Sequence, residues 1–436
     1  MTAQVEAPPV LADAQPLPAG ERLVLLGFSG VPLTLFNFAA PYLPLIAVPL
    51  LFFFKNRLHM TASQTAMFAL ITSIPLYLGF VFGFIRDRWS PFGLGDRGHL
   101  MVFGLITAAL YLGLAILPPT YPVLLVGGLL VTAAIQFVYG AANGLASTIG
   151  RRHAMTGQMS TAMNLASALP TATAFLLGGV LSSALERGDA SHAARTLFLT
   201  GAALMIAIAA FGAVAPRWMF EEGRSEPQTR TPVADLARLA RSWPVYPALV
   251  IQLMWQFGPA AGSALQYHLS GDLHATDAQV GAFFAVFYGG FIPVYVLYGF
   301  LAQRFSLTVL MWVGAILAVP QMAPLLFIKD PGLAVWAGLP MGILGGIGQV
   351  AFMDLAMRAC PKGLEGTMMM LLWSCYWISY RLGDLWGGDL YDHHGGFTVA
   401  IWATIGVYAL ILPILLLVPR RITDGVDAHA PSERPA

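Results

Sequence analysis

The chain of 436 residues is 57% hydrophobic and only 10% charged, with a mean hydropathy of +0.70 and a formal net charge of +1. Soluble domains carry roughly 25% charged residues, so this composition excludes a water-facing globule, and the near-neutral balance speaks against nucleic acid as a partner. Cys360 and Cys375 lie in or beside apolar stretches without metal-ligand spacing, which argues against both a disulfide framework and a bound metal.

Residues 1–28 read as a disordered tail; the first twenty are rich in Ala and Pro and lack the basic stretch of a signal peptide. Apolar runs long enough to cross about 30 Å of hydrocarbon, roughly 20 residues each, follow near 31–54, 63–85, 99–117, 121–147, 159–184 and 196–215. A polar segment at 216–243 holds Arg217, Arg224, Arg230, Arg238 and Arg241, and six more runs lie near 244–268, 278–302, 306–328, 333–357, 367–390 and 398–418. The predicted architecture is an all-α membrane protein of about twelve transmembrane helices. It has a six-helix half at 29–215, a central loop at 216–243, a second half at 244–420 and a polar tail at 421–436. With the N-terminus in the cytoplasm, 17 of the Lys and Arg residues fall inside and 5 outside, and Arg381 lies within a span. That bias predicts both termini on the cytoplasmic side, in the inner (plasma) membrane of a bacterium.

The two halves repeat each other. His59-Met60-Thr61-Ala62-Ser63-Gln64 recurs as His274-Ala275-Thr276-Asp277-Ala278-Gln279, with each Thr placed to cap the helix that follows. Gly83-Phe84-Ile85 through Arg88 matches Gly299-Phe300-Leu301 through Arg304, with Gln303 where the first copy has Asp87. Leu177-Gly178-Gly179 matches Trp386-Gly387-Gly388, and Asn37 and Pro44 match Gln252 and Pro259.

Six spans, a basic loop, six spans, and Gly-X-X-X-Asp-Arg at Gly83, Asp87 and Arg88 resemble the major facilitator superfamily. Asp96 and Arg97 lie further along the same loop, which Trp89 to Gly95 lengthen beyond the usual pattern. Cys360 to Thr367 and that long loop are similar to folate–biopterin-type transporters and, more loosely, to muropeptide permeases. The resemblance implies a gating role in which Asp87 and Arg88 tie the second span to the eleventh.

The eleventh span concentrates the intramembrane chemistry: Trp373, Trp377, Tyr380 and Asp384 share one helical face, with Arg381 at its edge and in reach of Asp384. Charge within a membrane costs several kcal/mol, about 2.5–3.5 on insertion scales, and stays where it faces the bundle interior. The functional reading is a substrate site, with an aromatic wall and Arg381 for an anionic group; the alternative is an ion pair that locks helix packing. Gln252, Gln256, Ser263 and Tyr267 form a second candidate stripe, and Asn37, Gln136, Tyr139, Asn143 and Asn164 line the other half, each also suited to an interhelical hydrogen bond. Asp354 and Arg358, four apart, are expected at a gate, whereas His268 and His393-His394 read as loop residues.

No nucleotide-binding or zinc motif is present, so no cofactor and no enzymatic activity are expected. The expected function is secondary transport of a small organic solute, anionic or aromatic, by alternating access, with protons as the coupling ion considered. A monomer in contact with lipid is expected. The alternative is a membrane assembly or sensor protein on a transporter scaffold.

Overall fold

The computed structural model describes residues 17–56, 58–60, 62–186, 190–222 and 232–427, and all regular structure among them is helical. Twelve spans are present. The first half comprises Ala19–Ala39 with Pro44–Asn56, then Ala62–Thr72, Ile74–Tyr77 and Gly79–Arg88 as one interrupted span, Asp96–Ile116, Tyr121–Arg152, Thr156–Glu186 and Ala190–Val214. The second half comprises Val245–Gln256 with Gly262–Tyr267, then Asp277–Leu301, Leu307–Ala318, Pro331–Ala359, Glu365–His393, and Phe397–Ala409 with Ile411–Leu415.

Eight described helices are long and apolar enough to cross a membrane by themselves. The second, fifth, seventh and eleventh spans are not among them. Two of these are interrupted, and the eleventh carries the charged and aromatic groups. Membranes tolerate such helices only when neighbours satisfy their backbone and shield their polar side chains. Accordingly the second span packs on the eleventh, the fifth on the eighth and tenth, and the fourth on the eleventh, so these helices form the seam between the halves.

The expected continuous helices at 31–54 and 244–268 are each broken, and at repeat-related places. In the first span the helix stops at Ala39, just before Pro41, and the freed Ala39 carbonyl accepts a hydrogen bond of 2.6 Å from the Tyr111 hydroxyl. In the seventh, the break around Pro259 leaves the Ala260 N–H to donate to Thr404 Oγ1 at 2.8 Å. Gly262 restarts the helix at φ +61, a left-handed conformation that favours glycine. Gly387 lets the eleventh span approach so closely that a Cβ there would lie 1.9 Å from the Pro259 carbonyl oxygen.

The expected tails and central loop are more structured than their polarity suggests. The first helix begins at Ala19, short helices Arg217–Glu222 and Pro232–Arg241 occupy the central segment, and Arg420–Thr423 forms a further turn. Asp427, assigned by composition to a disordered tail, is 1% exposed. The reason is hydrogen bonding to the bundle, which composition does not register. Residues 1–16 and 428–436, and Arg57, Thr61, Arg187, Arg224 and Arg230 from the charge and repeat comparisons, lie outside the described residues. Thr276 caps the eighth span, accepting from the Gln279 N–H at 3.3 Å while Gln279 Oε1 accepts from the Thr276 N–H at 2.9 Å.

The charge bias makes a topological prediction. Reporter fusions within 216–243 and after 420 are expected to read cytoplasmic; a signal from the opposite side at either place would overturn the orientation.

Candidate functional site

On the side of the bundle that carries the central segment, two sets of buried charges join the halves. In the first, Arg86 on the second span donates to Asp96 through Nε at 2.6 Å and to Asp87 through Nη1 at 2.7 Å, with a further bond from Nη2 to Asp96. Asp87 turns its carboxylate onto the first turn of the eleventh span. It accepts from the Gly366 N–H at 3.0 Å and from the Thr367 N–H and hydroxyl at 2.6 Å each. A helix N-terminus carries unpaired N–H groups and partial positive charge, so a carboxylate there is stabilised twice over. Gly83 permits the contact: a Cβ at that position would lie 2.3 Å from the Gly366 carbonyl oxygen. Gly144 on the fourth span leaves space for the Arg86 guanidinium, whose Cζ would be 2.5 Å from an added Cβ. Arg151, at the end of the fourth span, pairs with Glu365 at 2.9 Å.

The second set is the pseudo-symmetric counterpart. Arg358, at the end of the tenth span, pairs with Asp354 at 2.8 Å and donates through the same Nε to Thr156 Oγ1 at 3.0 Å, at the start of the fifth span. The fourth span thus reaches the eleventh, and the tenth reaches the fifth. Asp354 also accepts from the Tyr298 hydroxyl at 3.2 Å, which ties in the eighth span.

Further into the bundle the seam is aromatic. Tyr139 stacks on Phe36 at 4.1 Å and meets Trp373 at 5.4 Å. Trp373 leads through Tyr376 to Trp377, whose ring meets Tyr42 edge-on at 5.5 Å. Amide groups hold this wall. Trp373 Nε1 donates to Asn143 Oδ1 at 3.3 Å, Gln136 Nε2 donates to the Tyr42 hydroxyl at 3.3 Å, and Gln349 Nε2 donates to Asn164 Oδ1 at 3.3 Å. Trp255 Nε1 completes that last chain by donating to Gln349 Oε1. The aromatic stripe expected on the eleventh span therefore exists, and Tyr376 and Tyr42 belong to it although periodicity did not select them.

Two expectations, the buried Arg381–Asp384 pair and the lining role of Tyr267, are corrected. Arg381 and Asp384 are not a buried pair: they touch at 3.7 Å, with side chains 40% and 18% exposed. Asp384 is engaged elsewhere, accepting through Oδ1 from both the N–H of Ser263, at 2.7 Å, and its hydroxyl, at 2.5 Å, so it braces the restart of the broken seventh span. Arg88 pairs with Asp235 of the central segment at 2.5 Å; residue 88 lies one step around the helix from Asp87. Tyr267 is 62% exposed and stacks on Tyr391 near the far end of the eleventh span, away from the aromatic wall. Asn37 is buried, and its amide donates to the Leu33 and Ala166 carbonyls at 2.8 and 3.3 Å, the interhelical bond between the first and fifth spans that its alternative reading expects. Gln252 is buried and Gln256 half-buried on the seventh span.

Sequence reasoning did not assign these contacts to Arg86, Asp96, Arg151 and Glu365. Arg86 was legible only as one of several inside charges, and its second partner, Asp96, lies on the next helix.

Two six-helix halves, meeting along a seam joined on one side by buried polar contacts, make up a multi-pass membrane protein with the architecture of a transporter. Residues 31–383 match the sequence profile of the Major Facilitator Superfamily, and the chain belongs to that family. It is a transporter and not an enzyme. Solved structures of similar fold include the transporter FucP in the outward conformation, 14% identical, covering 90% of this chain and 98% of that chain with a TM-score of 0.66. The proton:xylose symporter XylE bound to 6-bromo-6-deoxy-D-glucose is 11% identical, with 92% and 97% covered and a TM-score of 0.66. The human organic anion transporter MFSD10 is 15% identical, with 91% and 100% covered and a TM-score of 0.57. At such identities the likeness speaks for the fold alone. These comparisons support the family and not the folate–biopterin or muropeptide branch.

Two predictions follow from the geometry. Asp87→Ala is expected to leave folded protein in the membrane while lowering transport ~10-fold, the equivalent of about 1.4 kcal/mol from one lost helix cap. Membrane abundance and uptake into proteoliposomes check it, and wild-type uptake would reduce Asp87 to an ordinary loop charge. Asp384→Ala is expected to destabilise the protein by about 1–3 kcal/mol through the unmade bonds to Ser263, and Arg381→Gln by much less, since its side chain is 40% exposed and its contact with Asp384 is long at 3.7 Å. Thermal unfolding of the two purified variants distinguishes them, and equal losses would restore the mutually dependent pair.

Proposed function

We propose that the protein is a proton-coupled secondary transporter of a small organic solute, working by alternating access. The observation that carries this reading is the paired closure of one side: Asp87 on the first turn of the eleventh span and Arg358 on the first turn of the fifth. Each joins opposite halves through hydrogen bonds and charge, contacts that can part and be replaced by water. A seam meant only as a rigid scaffold gains more from apolar packing than from buried ion pairs.

The solute reading rests on the aromatic wall of Tyr42, Tyr139, Trp373, Tyr376 and Trp377, edged by the amides of Gln136 and Asn143. Such a surface suits stacking against a flat or sugar-like ring, with amides for hydroxyl or carbonyl groups. Tyr380, Gln252 and Gln256 extend the candidate lining. Arg381, half-exposed and only loosely paired at 3.7 Å, is the group available to an anionic substituent. The symporters of similar fold make protons the first coupling ion to test, and the charge bias supports the orientation with both termini cytoplasmic, in a bacterial inner membrane as proposed.

The deciding experiment is uptake by proteoliposomes under an imposed pH gradient, against neutral sugars, aromatic carboxylates and other organic anions. Solute accumulation that collapses with a protonophore is expected. Facilitated equilibration insensitive to the gradient would remove the proton coupling, and binding without flux for every solute class would favour an assembly or sensor role.

A further inference from the structure

The pseudo-symmetry of the closed side has one irregularity. In the first half, the carboxylate of Asp87, at the end of the second span, caps the eleventh span. The repeat-related position at the end of the eighth span is Gln303, whose amide turns back to the Gly299 carbonyl at 3.0 Å and caps nothing in the fifth span. The fifth span is nevertheless capped by a carboxylate. Asp427, beyond the twelfth span, accepts from the Gly157 N–H at 3.3 Å and the Gln158 N–H at 2.9 Å.

The same residue is held from the other half. Its own N–H donates to the Ala302 carbonyl at 2.9 Å, one residue before Gln303, and Arg358 Nη2 donates to its Oδ1 at 3.3 Å. Arg358 Nη1 donates to the Gly425 carbonyl at 2.7 Å. The resulting cluster repeats the composition of the first: one buried arginine, two aspartates and a helix N-terminus of the opposite half, as Arg86, Asp87 and Asp96 stand to the eleventh span. Gly157 sits so close to the eighth span that an added Cβ would be 2.5 Å from Ala302 Cβ. The segment from Gly425 to Asp427 therefore bridges a contact that must separate if this side opens.

We propose that Asp427 is a gating residue: the segment after the twelfth span docks across the seam and supplies the latch carboxylate that the second half lacks at Gln303, holding this side closed until it is released. Burial first, and the like charge of Asp354 second, push the Asp427 carboxyl up to about 7 against the pull of Arg358 and the two backbone donors. A carboxyl so displaced gains by return to water, as a releasable contact requires.

Cys360 is a native reporter. It is 3% exposed among the charges of Arg151, Glu365 and Asp87, so it is shielded while this side is closed. The test is the rate of Cys360 modification by a membrane-impermeant maleimide at fixed pH, without solute, in a Cys375→Ser background. Deletion of residues 425–436 and the isosteric Asp427→Asn are each expected to raise the rate about five- to tenfold. Adding Gln303→Asp to Asp427→Asn is expected to bring it back toward the parent. Monodisperse elution of each variant separates opening from unfolding, and the isosteric variant covers the case in which the deletion misfolds. Parent-level labelling in folded Asp427→Asn would overturn the latch, and a raised rate that Gln303→Asp leaves in place would overturn its equivalence to Asp87. The inference rests on the alternating-access reading, but the readout needs no transport: a silent Cys360 leaves the transporter standing, and absent flux leaves the latch standing.

Discussion

A carboxylate from one half set on the first turn of a helix in the other half is the contact on which the arrangement of this protein depends. Helix starts expose N–H groups that must find acceptors, and here the starts of the fifth and eleventh spans find them across the seam. The geometry demands small residues at the crossing points, which explains Gly83 against Gly366 and Gly157 against Ala302. It also demands a counter-charge for each cluster, supplied by Arg86 and Arg358. A buried ion pair adds little net stability over an apolar one but is costly to leave half-made. That balance suits a surface that must be either fully joined or fully parted.

The broken helices follow a related logic. Membrane interiors offer no water to a freed backbone group. The interruptions in the first and seventh spans persist because Tyr111, Thr404 and Asp384 supply the missing partners from neighbouring helices. Asp384 thereby changes its meaning. Its place in mid-sequence of an apolar span suggests a titratable binding group, yet its oxygen is committed to Ser263. The charge that remains open beside it is Arg381, and the anion-binding half of the expected site keeps a physical basis that the pair does not.

Aromatic side chains carry the seam between these polar layers. Tyr42, Trp373, Tyr376 and Trp377 bring large apolar area with few rotatable bonds and with polar edges that amides can hold. Gln136 and Asn143 do so here, at Tyr42 and Trp373. The wall is thus ordered by hydrogen bonds at its edges rather than by buried charge.

Much of the fold was legible in the sequence because its determinants are local. Apolar length marks twelve spans, the Lys and Arg bias orders them, and Gly83, Asp87 and Gly387 mark repeat positions that the structure uses for close contact. The aromatic stripe of the eleventh span was legible for the same reason, since helical spacing alone puts Trp373 and Trp377 on one face. The breaks, the pairings and the latch were not. Asp87 meets its partners 279 and 280 residues away, and Asp427 meets Gly157 at a separation of 270. Nothing in local periodicity or polarity encodes which helix end a carboxylate will face at such distances. Only the packing of one half on the other decided that Arg88 turns to Asp235, that Arg86 is the buried hub, and that a residue in a polar tail completes the second half, because each outcome is set by the space and the unpaired donors that the opposing helices leave.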